Sequence, residues 1–85
     1  MSAKNIRSIR DQLGMSQADF ADVLGCSQTN VGYYERGQDL PKDKAIRLAN
    51  FCRRNGWAMT LDAIYGVADV PAFPRPAPLP PLEVR

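Results

Sequence analysis

Residues 17–36, QADFADVLGCSQTNVGYYER, contain two short runs of helical periodicity separated by a single glycine, and this spacing constrains the fold more than any other feature. Phe20, Ala21 and Leu24 share one face of the first run, and Val31 and Tyr34 share one face of the second. Isolated helices below ~12–15 residues are marginal in water, so two runs this short must be held by packing. Gly25 accepts the left-handed backbone that ends a helix, and Ser27 is a strong N-cap for the helix that follows. Helices joined by so tight a turn cross steeply, which calls for a small residue at the crossing and apolar residues around it. Ala21 meets the first need, and Phe20, Leu24, Cys26, Val31 and Tyr34 meet the second.

The same punctuation runs through the chain as far as residue 66. Ile6, Ile9 and Leu13 recur at helical spacing before Gly14. Ser16 with Asp19 three residues on resembles a capping box. The helix from Ser27 runs to about Arg36, ahead of Gly37. A fourth helix is expected from Pro41, a residue suited to a first turn, burying Ala45, Leu48, Ala49 and Cys52 and ending before Gly56. Thr60 caps a short fifth helix with Leu61, Ile64 and Tyr65, closed by Gly66. No segment alternates as a strand does, so the fold class is all-α, a compact five-helix domain over residues 1–66. Six of the seven prolines lie from Pro71 to Pro81, and proline sustains neither a helix interior nor a central strand. Residues 67–85 therefore read as an extended or disordered Pro-rich tail. If that tail orders as an arm, Val70, Phe73, Leu79 and Leu82 are its anchors.

What the chain lacks narrows its chemistry. It has no histidine, and hence neither the commonest general base nor the commonest metal ligand. No glycine-rich phosphate loop or clustered carboxylate pair replaces it, so we expect no enzyme, metal site, cofactor or small-molecule substrate. Cys26 and Cys52 fall on inward positions, as buried apolar residues do, and form no disulfide framework. No apolar run approaches the ~20 residues of a membrane span, and no secretory signal precedes the first helix, so a cytoplasmic protein is expected. The net charge of +2 leans only weakly toward nucleic acid.

Phe20 to Tyr34 thus spell a helix-turn-helix made by the second and third helices. The stretch from Ile6 to Gly37, IRSIRDQLGMSQADFADVLGCSQTNVGYYERG, resembles the Cro/repressor (Xre) type regulators of phages and bacteria. The likeness continues more loosely through Pro41, RLA at 47–49 and TLDAIYG at 60–66. It implies a lambda-repressor-like domain that lays its third helix in the major groove of double-stranded DNA. With Val31 and Tyr34 inward, Gln28, Thr29, Gly32 and Tyr33 face outward and are the expected base readers. A glutamine amide pairs with adenine N6 and N7, and a threonine offers a hydroxyl and a methyl. Gln17, Asn30, Arg36, Gln38, Lys42 and Lys44 are the expected phosphate contacts. Gly32 stands where relatives often carry a polar residue; close approach to DNA and simple drift both account for it.

The resemblance also implies a partly buried ion pair between Arg10 and Glu35 that fixes the third helix against the first. It further implies a homodimer on two half-sites, with Trp57, Met59, Leu61 and Tyr65 at the interface. Larger phage repressors carry a second domain not evident in this sequence, so a Cro-like repressor or small autoregulator, phage-encoded or bacterial, is the leading expectation. The alternative is a DNA-binding antitoxin or adaptor whose Pro-rich tail holds a protein partner. RPAPLPP at 75–81 fits an R-x-x-P-x-x-P ligand pattern, a match we take as accidental.

Overall fold

The structure, a computed structural model, describes residues 5–74. Five helices follow one another: α1 Ile6–Leu13, α2 Gln17–Leu24, α3 Gln28–Glu35, α4 Lys42–Arg54 and α5 Leu61–Tyr65. There is no β-strand among the described residues, as expected for an all-α chain. The helices α2, α3 and α5 each begin where a hydroxyl satisfies an otherwise orphan amide. Ser16 Oγ accepts from the Asp19 N–H at 3.1 Å, Ser27 Oγ from Asn30 at 3.2 Å, and Thr60 Oγ1 from Ala63 at 3.1 Å. The second helix ends on Gly25 at φ 74°, a left-handed conformation that lets the chain reverse into α3.

One core joins all five helices. Ile6 and Ile9 from α1, Phe20, Ala21 and Leu24 from α2, and Val31 and Tyr34 from α3 meet Ala45, Leu48, Ala49 and Cys52 from α4 and Ala63 and Ile64 from α5. Asn5 ties the start of α1 to α5 by donating from Nδ2 to the Ala63 carbonyl at 2.7 Å. Burial pushes the Cys52 thiol up to about 11 and raises the Cys26 thiol as well, so both stay protonated at neutral pH. Among the described residues no helix is long and apolar enough to cross a membrane.

One expectation about the C-terminal part needs correction. Trp57 and Met59, assigned to a dimer surface, are 1% and 0% exposed within the single chain. They lie between α4 and α5, where no helical periodicity marks an inward face, yet both complete the core. Residues 67–74, the described part of the expected tail, form no helix or strand and lie against the domain. Val70 and Phe73 pack against the core, as an ordered arm requires. Phe73 meets Trp57 edge to face with ring centroids 4.8 Å apart, and the Trp57 indole N–H donates to the Pro71 carbonyl at 2.9 Å. The prolines prevent a helix here without preventing packing. Leu79, Leu82 and the 75–81 motif lie outside the described residues.

Candidate nucleic-acid interface

The site begins with the ion pair that seats α3. Arg10 Nε donates to Glu35 Oε2 at 2.6 Å and Nη2 donates to Oε1 at 3.3 Å, a two-pronged contact between the end of α1 and the last residue of α3. Arg10 Nη1 also donates to the Met15 carbonyl at 3.0 Å. The Gln17 amide completes the cluster, donating from Nε2 to Glu35 Oε1 at 3.0 Å. The side chains of Arg10 and Glu35 are 15% and 7% exposed, so α1, α2 and α3 meet at a shielded polar lock. The hydrogen bond that Arg10 donates to Glu35, outweighing the cost of desolvation, raises the Arg10 pKa further.

A concave groove of about 440 Å³ opens beside this lock, lined by Gln17, Gln28, Thr29, Gly32 and Arg36. Gln28 and Thr29 are exposed, and Tyr33, 43% exposed, stands next to them. Three of the four expected base readers are therefore at the surface of α3. Gly32 lines the groove but is not an open position, because its backbone is buried. The reason is Arg36, one helical turn further on, whose guanidinium folds back over it. A Cβ built on Gly32 would lie 3.6 Å from Arg36 Nη1 and 3.8 Å from Nη2. The same guanidinium lies 5.2 Å from the centroid of the Tyr33 ring, a cation–π contact.

The expected phosphate contacts are dispersed. Gln17 borders the groove while its amide is engaged by Glu35. Asn30 is half-buried, whereas Gln38 and Lys42 are exposed beyond α3 and at the start of α4. Lys44 turns away to the α2–α3 junction, where Nζ donates to the Gly25 carbonyl at 3.0 Å. Arg47 joins it there, with Nε donating to the Val23 carbonyl at 3.3 Å. Two cations thus meet the carbonyl end of α2, where the helix dipole favours positive charge. Leu61 and Tyr65 are half-buried on α5, and the Tyr65 hydroxyl donates to the Leu40 carbonyl at 2.9 Å.

Two features of the groove are not apparent from single residues. The spacing of Gln28, Gly32 and Arg36 at successive fours would have placed Arg36 on the reading face. No sequence signal marks the bond from Gln17 to Glu35, which depends on how α2 and α3 cross.

Among known proteins, a family model described as helix-turn-helix matches residues 6–55, from the first residue of α1 through all but the last short helix. No curated protein and no solved structure matches the chain. The matched region contains α2, α3 and the Gly25 turn between them, the Arg10–Glu35 lock and the whole groove. The chain belongs to the helix-turn-helix family of Xre-type DNA-binding regulators.

Proposed function

We propose that the protein is a sequence-specific reader of double-stranded DNA, a Cro-like repressor or autoregulator that acts in the cytoplasm as a homodimer on a two-half-site operator. The observation that carries this reading is the groove on α3, where Gln28 and Thr29 present hydrogen-bonding side chains at the exposed start of a helix locked from behind by Arg10 and Glu35. An α-helix fits the major groove, where each base pair presents a distinct pattern of donors and acceptors. Gln28 pairs with adenine, Thr29 meets a base edge or a thymine methyl, and Tyr33 reaches a base edge or a flanking phosphate. Gln17, Asn30, Gln38 and Lys42 hold the backbone on either side.

Dimerisation uses the outer rim of α5, where Leu61 and Tyr65 are half-buried and Val67, 64% exposed, lies just beyond. Paired reading helices then face half-sites about 34–36 Å apart, one turn of B-DNA. The reading is tested by binding to the promoter of the protein's own operon, comparing the native chain with Gln28→Ala. Loss of specific binding by a folded variant is the expected result, and unchanged binding would remove α3 from the reading role.

A further inference from the structure

We infer that Arg36 is a base-reading residue that selects guanine, and that Gly32 provides the seat that lets it do so. The inference rests on α3 being the helix that enters the major groove. Three observations about Arg36 distinguish it from a phosphate clamp at the rim.

The first is position. Gln28, Gly32 and Arg36 are spaced by four, so they form one line along α3 and its C-cap, and all three line the same groove. The second is seating. The guanidinium rests on the Gly32 backbone, with the site of an absent Cβ 3.6 Å from Nη1, so a side chain larger than a methyl at position 32 would occupy its space. The third is orientation and charge. The Tyr33 ring supports the cation from one side at 5.2 Å, and no carboxylate among the described residues pairs with it. An unpaired planar fork held in the reading groove matches the O6 and N7 acceptors of guanine, which two parallel N–H donors satisfy together.

The folded-back geometry also sets the spacing. Because the guanidinium lies over Gly32, it is displaced from Gln28 by one turn, about 6 Å along the helix. With base pairs stacked about 3.4 Å apart, the guanine chosen by Arg36 falls within about two base pairs of the adenine chosen by Gln28.

Selection from a random pool of duplex DNA tests this, run in parallel with the native chain, Arg36→Ala and Arg36→Gln. Arg36 is exposed, and circular dichroism checks that each variant keeps its helices. The native chain should enrich a half-site with a guanine close to the adenine that depends on Gln28. Both variants should keep the rest of that motif while losing the guanine, with discrimination at that position falling about 5- to 150-fold. If the variants retain the same guanine and only bind all sequences more weakly, with a shallower salt dependence, Arg36 contacts phosphate and the inference is overturned. If the native chain enriches no sequence at all, the groove-reading role of α3 fails, and the assignment of Arg36 falls with it.

Discussion

Removing Glu35 is the perturbation whose consequence the structure fixes best. Glu35 accepts from Arg10 Nε at 2.6 Å, from Arg10 Nη2 at 3.3 Å and from Gln17 Nε2 at 3.0 Å, at only 7% side-chain exposure. Glu35→Ala leaves the Arg10 charge with the Met15 carbonyl and a distant Asp11 carboxylate at 3.9 Å, and leaves the Gln17 amide without its acceptor. Breaking a buried pair from one side costs about 3–5 kcal/mol. Arg10 retains 15% exposure and one carbonyl, so water recovers part of that, and about 2–3 kcal/mol is expected here. A domain this small loses about 4–8 °C of Tm per kcal/mol, so thermal unfolding should move down by roughly 10–20 °C. Calorimetry or circular dichroism reads that shift directly. The double variant Arg10→Met/Glu35→Leu should recover most of the stability, because apolar replacement of a whole buried pair is often neutral. A Tm shift below about 2 °C for Glu35→Ala, or Arg10 and Glu35 effects that simply add in a double-mutant cycle, would contradict this role for the pair.

Three further outcomes follow from the same contacts. Phe73→Ala removes the edge-to-face partner of Trp57 and should cost about 1–2 kcal/mol. Because Trp57 is the sole tryptophan, its fluorescence should shift to the red as water reaches the indole, and an unchanged spectrum would show that the arm does not cover it. Gly25→Ala places a methyl at φ 74° with its carbon 3.0 Å from the Arg47 guanidinium, so a loss of about 1 kcal/mol or more is expected by urea unfolding. Cys52 has its pKa raised from 9.0 to about 11 by burial, so the folded state holds the proton longer than the unfolded chain does. Its contribution is complete below pH 9 and is lost as pH rises from about 9 to 11, costing about 2–3 kcal/mol. Cys52→Ala should flatten that alkaline fall in a pH series of unfolding curves, while an equally steep fall would assign it to other groups.

Much of the fold was legible because its helices are punctuated by local chemistry. Ser16, Ser27 and Thr60 each cap the helix that the apolar spacing implies, and Gly25 adopts the left-handed turn that two crossing helices need. The Arg10–Glu35 pair was legible only through resemblance, since the residues are far apart in the chain and no periodicity connects them. Trp57 and Met59 were misplaced because they lie between helices, where no repeating face separates a core residue from an exposed one. The arm at Val70 and Phe73 was left open because proline content excludes regular structure but says little about docking. Arg36 and Lys44 show the limit for flexible cations. Their positions along the chain put both near the reading helix, but one lies back along Gly32 and the other turns to the Gly25 carbonyl. The directions taken by such long side chains are set by tertiary neighbours.

If the protein reads DNA as proposed, the outer face of α3 is what touches it. Nuclear magnetic resonance of the isotope-labelled chain, titrated with a duplex bearing the selected half-site, tests it residue by residue. The largest shifts should fall on Gln17, Gln28, Thr29, Tyr33 and Arg36, with α4 beyond Lys44 little affected. Shifts concentrated instead on the separate groove of Val23, Arg47, Asn50 and Arg54, with α3 unmoved, would contradict it.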